Sequence, residues 1–239
     1  MLARKVARLM AGTDHQGSAW LICGEYALTA LHCVQSDDGL ARADLSLVYH
    51  GQSLQLEADI LETADDIDVA LLKLKTPITD LGNVISLSRS TVELSDELGL
   101  HGHPAAAASS PQGISVFCTV IDPAHPYVGA KGTLKVNTIS MHSESTTPAL
   151  SGGQPTSGLK GASGGVVARK LGDDSESAVG LLIEDSLSGN ALHAVSIFEI
   201  ARCFPQVQAA LERSPHVDSR SPCCGLICSD TSIGGKYTT

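Results

Sequence analysis

Short apolar or alternating segments, each bounded by turn residues, recur along most of this 239-residue chain. Six precede a polar stretch at residues 86–97 and six follow it: KVARLM, SAWLIC, YALTAL, DLSLVYH, LQLEADIL and DVALLKLK, then ELGLHGH, GISVFCTVI, GTLKVNTI, GGVVARK, AVGLLIE and ALHAVSI. Closely spaced strands joined by short turns are typical of sandwiches and barrels, because parallel strands need a long crossover between them. The pattern therefore predicts an all-β protein.

The polar stretch at residues 86–97 divides the predicted strands into two equal groups. We expect an N-terminal β-barrel over residues 1–90 and a C-terminal β-barrel over residues 91–213, with the crossover in the polar stretch. The chain is 43% apolar, which is enough material for two cores.

A helical pattern begins at Ser196. The spacing of Ser196 and Glu199 is that of a capping box, and helix-like apolar spacing continues to Arg213. Pro205 is expected to bend or interrupt this helix, because proline lacks the N–H that a helix interior needs. The remainder, residues 214–239, is rich in Ser, Pro, Gly and Thr and is expected to form a flexible tail or linker.

Charge and cysteine usage exclude several classes. The formal net charge of −10 argues against a general affinity for nucleic acid or anionic membrane, since both need basic surface. The chain has neither the apolar core of a secretory signal nor a run of about 18 apolar residues, so we expect a cytoplasmic protein. The seven cysteines lack the spacing of a disulfide framework, which favours reduced thiols.

The segment LKGASGGVVA, residues 159–168, places Ser163 between glycines ahead of an apolar run. Alone, it fits either a nucleophile turn or an ordinary glycine-rich turn. A serine hydroxyl is too weak an acid to attack unaided, so it needs a histidine to take its proton and a carboxylate to orient the histidine. The candidates are His32, which follows the strand-like YALTA, and Asp68, which begins the apolar DVALLKL.

The other histidines compete less well for the role of base. His101 and His103 alternate along one segment and would suit a metal pair, but no third ligand clusters with them. Polar or turn-like surroundings predict plain solvated side chains for five more, which are His15, His50, His125, His142 and His216.

Three motifs occur in the order His, Asp, Ser, namely GSAWLICGEYALTALHCV, DIDVALLKL and GASGGVV. Together they resemble the trypsin-like, chymotrypsin-fold serine peptidases, and the resemblance covers roughly residues 3–212. It implies two six-stranded antiparallel β-barrels, a C-terminal helix and an active site between the barrels. His32 and Asp68 would come from the first barrel and Ser163 from the second. The backbone N–H groups of Gly161 and Ser163 would form the oxyanion hole, and no metal or cofactor is expected.

Two departures place the chain nearer the intracellular bacterial type of these peptidases. Secreted members commonly carry an aspartate just before the nucleophile, which pairs with a freed amino terminus; Ala162 occupies that place. The cysteine after the histidine is present as Cys33, but Gly17 occupies the position of its usual partner. We therefore expect neither activation by a new N-terminus nor the disulfide beside the histidine.

The resemblance implies a specificity pocket whose preference stays open. Ser157 matches the pocket floor, and Ile183, Glu184 and Asp185 match the strand that pairs with substrate backbone. The acidic pair favours a basic substrate residue, whereas His193, if it points into the pocket, favours an acidic one. A third alternative is that these charged groups are solvated rim residues.

These features predict a serine endopeptidase acting on one or few protein or peptide substrates. By resemblance, it would release a partner in a bacterial signalling or defence system, with control by a regulatory partner or an operon-encoded substrate. The alternative is a catalytically silent peptidase fold used as a binding or scaffold module. A thiol enzyme using Cys33 is weaker, because no glycine-shaped oxyanion site adjoins it.

Overall fold

The computed structural model describes residues 2–49, 54–105, 110, 112–127, 136–143, 149–151, 154–156, 158–170, 176–186 and 191–214. Ser157 and, apart from Ser214, the expected tail at residues 214–239 lie outside the described residues.

The first barrel consists of six antiparallel strands, β1 (Val6–Ala11), β2 (Asp14–Leu21), β3 (Tyr26–Ala30), β4 (Leu45–Tyr49), β5 (Leu54–Ala64) and β6 (Val69–Leu74). Their order is β1-β2-β3-β6-β5-β4, and pairing of β1 with β4 closes the barrel. Strand β5 alternates buried and exposed residues along its first half, whereas β6 is buried at five of its six positions. The alternating pattern therefore marks a strand with one face exposed to solvent, and the continuous apolar pattern a strand that is covered on both faces.

A second group of strands begins within the polar crossover. Its strands are β7 (Ser86–Leu87), β8 (Glu97–Gly102), β9 (Ile114–Tyr127), β10 (Val136–His142), β11 (Ala149–Ser151), β12 (Gln154–Thr156), β13 (Val166–Lys170), β14 (Glu176–Ser186) and β15 (Ala191–Ser196). Six of these form the order β13-β8-β9-β10-β15-β14, and antiparallel pairing of β13 with β14 closes the ring. Strands β11 and β12 form a separate hairpin. The predicted all-β fold with two six-stranded barrels is confirmed.

Part of the polar crossover is itself a strand. Strand β7 runs parallel to β14, with Ser86 opposite Ser177 and Leu87 opposite Ala178. Just before it, the N–H of Ile85 donates to Leu21 O of the first barrel at 3.0 Å. Residues 85–87 therefore contact both barrels, so the connection is ordered where the sequence indicates only a polar link.

The chain then forms two helices, α1 (Ile197–Cys203) and α2 (Pro205–Arg213). The Ser196 hydroxyl accepts from the Glu199 N–H at 3.2 Å and caps α1, while Pro205 ends the pattern and begins α2. Their apolar faces join the core of the first barrel, with Ile200, Phe204 and Val207 buried. No helix in the described part of the chain is long and apolar enough to cross a membrane.

Candidate active site

Strand pairing in the first barrel brings His32 and Asp68 together. Strands β3 and β6 are antiparallel neighbours, and Ala30 at the end of β3 lies opposite Val69 at the start of β6. A single 3₁₀ turn, Leu31–Cys33, follows β3 and carries His32, while Asp68 lies one residue before β6. Residues far apart in sequence thus share one end of the barrel.

Both carboxylate oxygens of Asp68 bind His32. Oδ2 lies 2.6 Å from His32 Nδ1, and Oδ1 accepts from the His32 backbone N–H at 3.0 Å. Asp68 has a positive φ of 54°, a conformation that aspartate tolerates better than most residues. The Leu31 N–H donates to Asp68 O at 2.9 Å and helps to hold this conformation. The turn that carries His32 therefore holds Asp68 in place, and the Asp68 carboxylate in turn orients the His32 ring.

The carboxylate sets the tautomer and basicity of His32. An ionised carboxylate only accepts, so Nδ1 carries the proton and Nε2 is left to act as a base. Burial alone would lower the pKa of His32, but the hydrogen bond to Asp68, together with Cys33, raises that pKa well above its ordinary value of 6.5. The His32 side chain remains half exposed, whereas that of Asp68 is 14% exposed. The imidazole is thus accessible, and the carboxylate that binds it is largely covered.

Ser163 comes from the second barrel, in the turn just before β13. Its carbonyl accepts from the Ser18 N–H at 2.8 Å and lies 3.7 Å from the thiol of Cys33, the residue after His32. In this part of the described structure, the Ser163 hydroxyl donates to Ile183 O at 3.5 Å rather than to His32. Catalytic hydrogen bonds are often long or misaligned without substrate, so this geometry is compatible with a resting nucleophile.

The turn before Ser163 leaves two backbone N–H groups open. Those of Ala162, Gly164 and Gly165 donate to Leu159 O, Leu182 O and Ala162 O at 2.8, 2.8 and 2.9 Å. Within the described residues, no oxygen accepts from the N–H groups of Gly161 and Ser163. Bonded and unbonded N–H groups thus alternate along this turn. The two unbonded ones, of Gly161 and Ser163, are those that the resemblance assigns to an oxyanion hole.

Gly161 is required by this turn for two reasons. Its φ is +89°, and a Cβ there would lie 3.0 Å from Ala105 N and 3.3 Å from His15 Cε1. Any side chain would strain the backbone and press on these neighbours.

His15 corrects the expectation of a solvated side chain. It is half-buried on β2, and its Nε2–H donates to Gly17 O at 3.0 Å. Burial lowers the pKa of His15 below its ordinary value. Alternation along the strand gives no signal for this, because the register with β1 shifts between Gly17, opposite Leu9, and His15, opposite Met10.

The predicted specificity residues lie on adjacent strands of the second barrel. Glu184 of β14 lies directly opposite His193 of β15. Ile183 is buried and its carbonyl faces Ser163, while Glu184 is half-buried and Asp185 belongs to β14. Of these positions, Ile183 contacts Ser163 through its carbonyl. Ser157 lies outside the described residues.

His193 is part of a polar cluster that the sequence did not indicate. Its ring is stacked on His125 with centroids 5.4 Å apart, and it lies 4.9 Å from the ring of Tyr127. Its Nδ1 is 3.4 Å from the Thr138 hydroxyl. Burial, and then the charge of His125, lower the pKa of His193. The expectation that His125 is merely solvated is therefore wrong; alternation of 125 and 127 on one strand was the only local signal.

The thiol of Cys33, the residue after His32, is free, and so are the thiols of the other described cysteines. A Cβ at Gly17 would lie 2.5 Å from Cys33 Sγ, so the position of the usual partner is next to the thiol and holds no sulfur.

A metal site finds no support in the described residues. His101 and His103 are both buried, but their rings bind within the protein, to the Ser115 hydroxyl at 2.8 Å and to Val6 O at 3.1 Å. Across the described ranges no group of three His, Cys, Asp or Glu side chains could hold an ion.

No family model and no curated protein matches this chain. Several solved structures do. The active form of the Rv3671c protease from M. tuberculosis is 12% identical, with a TM-score of 0.57 over 91% of this chain and 85% of that chain. The MamO protease domain from Magnetospirillum magneticum is 19% identical, with a TM-score of 0.56 over 85% and 97%. The HtrA-type protease AlgW with a decapeptide is 16% identical, with a TM-score of 0.58 over 84% and 53%. The chain thus has the chymotrypsin-like double-barrel fold of these proteases.

Proposed function

We propose that this chain is a serine endopeptidase. The observation that carries the proposal is the convergence of a carboxylate-bound histidine, a serine and two unbonded N–H groups where the two barrels meet. A fold of this kind hosts many functions, so the argument rests on this site rather than on the fold.

The proposed reaction has two halves. The Ser163 hydroxyl attacks the substrate carbonyl as His32 Nε2 takes its proton, and the oxyanion accepts from the N–H groups of Gly161 and Ser163. His32 then gives the proton to the departing amine, which leaves an ester on Ser163. Water attacks the ester as His32 takes its proton, and His32 then returns that proton to Ser163 Oγ as the bond to the acyl carbon breaks and the acid product departs. Asp68 stays ionised throughout and stabilises the imidazolium.

The substrate proposed is a protein or peptide. The strand 183–185 would pair with its backbone, because Ile183 O already faces the Ser163 hydroxyl. The decapeptide in the AlgW structure supports a peptide ligand for this fold. Release of a partner in a bacterial cytoplasm, under a regulatory partner or with an operon-encoded substrate, is the proposed context. His193 and Glu184 would set the preference at the pocket.

A fluorophosphonate probe tests the proposal directly, because it reacts with an activated serine. We expect the wild type to be labelled, Ser163→Ala to show no labelling, and Cys33→Ala to retain it. Labelling that persists in Ser163→Ala but disappears in Cys33→Ala would assign the chemistry to the thiol. An unlabelled wild type, with peptide substrates also left intact, would favour the silent binding module.

The pH dependence should report the raised pKa of His32. A protonated imidazole cannot accept the Ser163 proton, so kcat/KM should rise with pH as His32 loses its proton. Because Asp68 raises this pKa, the midpoint should lie above the ordinary 6.5. The measurement is kcat/KM for a peptide ester from about pH 5 to about pH 10. A midpoint at or below 6.5 would contradict the proposed His32–Asp68 coupling.

A further inference from the structure

We infer that Ser18 is a positioning residue for the nucleophile segment, which we define as residues 158–165. The inference rests on the proposed function and adds a residue to it. Ser18 lies in β2 of the first barrel and is fully buried. It touches none of the reacting atoms and acts through the backbone segments that it binds.

Three polar groups of Ser18 bind three different segments. Its N–H donates to Ser163 O at 2.8 Å, and its carbonyl accepts from the Thr29 hydroxyl at 2.8 Å. Its hydroxyl accepts from the His103 N–H at 2.8 Å. One buried residue therefore links the nucleophile, the strand that leads to His32 and the end of β8.

The bond between the Ser18 hydroxyl and the His103 N–H is the one that connects to the oxyanion donors. His103 is also bound to the first barrel through its ring, whose Nε2–H donates to Val6 O at 3.1 Å. Two residues further on, the Ala105 N–H donates to Lys160 O at 2.8 Å, and Lys160 adjoins Gly161. A shift of the backbone at His103 is therefore transmitted to Gly161, the first of the two oxyanion donors.

The backbone segments around Ser18 are tightly packed. A Cβ at Gly164 would lie 2.0 Å from Ser18 O. A Cβ at Gly102 would lie 3.2 Å from Ser18 Oγ and 3.0 Å from Ala162 O. The nucleophile segment, the end of β8 and β2 are thus in direct contact, and close-packed contacts transmit small displacements.

Ser46 provides a matched control. It is also a buried serine of the first barrel, and its hydroxyl accepts a single hydrogen bond, from Gln55 Nε2 at 3.2 Å. Both partners of that bond lie on β4 and β5, away from the second barrel. Ser46→Ala therefore removes a buried hydroxyl without touching the link between barrels.

The test compares Ser18→Ala with Ser46→Ala by two readouts. The first is kcat and KM for a peptide ester. The second is hydrogen exchange of the bonded N–H groups of residues 103, 105, 162, 164 and 165, which needs no activity. For Ser18→Ala we expect kcat to fall about tenfold with KM within about twofold, since one buried hydrogen bond that positions the oxyanion donors is lost. Exchange at these N–H groups should quicken. Ser46→Ala should show neither change.

A second variant, Thr29→Val, keeps the side-chain shape and removes the donor to Ser18 O, so it tests a second bond that holds Ser18 in place if Ser18→Ala does not fold. Wild-type kcat and wild-type exchange in the folded variants would overturn the inference. So would the same changes in Ser46→Ala. If the wild type neither hydrolyses peptides nor reacts with the probe, the proposed function fails, and the exchange pattern alone then decides whether Ser18 holds the segment.

Discussion

Replacing Asp68 by asparagine is expected to lower kcat/KM by about four orders of magnitude while the protein stays folded. The carboxylate only accepts, which keeps the proton of His32 on Nδ1. An amide in its place can donate to Nδ1, which would leave the proton on Nε2, where it blocks transfer from Ser163. The loss of the negative charge also removes the group that raises the pKa of His32 and stabilises its protonated form.

The control for this variant is Asp66→Asn. Asp66 is an exposed carboxylate in the turn before β6, two residues from Asp68, so the change in net charge is the same. We expect Asp66→Asn to keep kcat/KM within about twofold, as for other exposed substitutions. Circular dichroism should show both variants folded. A loss of less than about tenfold in Asp68→Asn would rule out its proposed orienting role.

Replacing Gly164 by alanine is expected to cost at least about 4 kcal/mol in the free energy of unfolding. Its φ of +81° strains any side chain, and a Cβ would lie 2.0 Å from Ser18 O and 2.6 Å from the Thr29 hydroxyl. The backbone atom cannot rotate away, so β2 and the nucleophile segment must separate. Chemical denaturation of the two proteins measures the difference.

A variant at Gly39 separates the two causes of this loss, which are backbone strain and the steric contact of the added Cβ. It has the same φ of +81°, but nothing lies within 4 Å of the Cβ position. Gly39→Ala should therefore cost only the strain of the backbone, about 1 kcal/mol. Equal losses in the two variants would show that the contact between the barrels is looser than the distances indicate.

Much of the fold could be predicted because its signals are local. Alternation in β5, the continuous apolar run in β6 and the cap at Ser196 each depend on neighbouring residues. The parallel pairing of β7 with β14 could not be predicted in this way. It involves two residues on each strand and is set by how the crossover packs between the barrels.

The residues of the candidate site also differ in whether a local sequence signal marks them. His32, Asp68 and Ser163 lie in motifs with turn and strand signals of their own, and Gly161 follows from the nucleophile turn. Ser18 lies in the predicted strand SAWLIC, but nothing local indicates its positioning role, because the side-chain bonds around it join residues 11 and 85 positions away.

The cluster around His193, like the contacts of Ser18, has no local sequence signal. His193 and Thr138 are 55 positions apart in the chain. Long-range contacts of this kind exist only once both barrels have closed, so no sequence window contains them.

The burial of Ala162 bears on how the nucleophile segment acquires its shape. It is 1% exposed and packs with Leu159 and Ala194 in the core of the second barrel. The nucleophile segment at this point is held by apolar volume, and no ion pair at position 162 contributes. We expect such a segment to take its shape when the barrel closes, without a cut elsewhere to supply a charge. Its stability should then respond to the size of these core side chains far more than to the salt concentration.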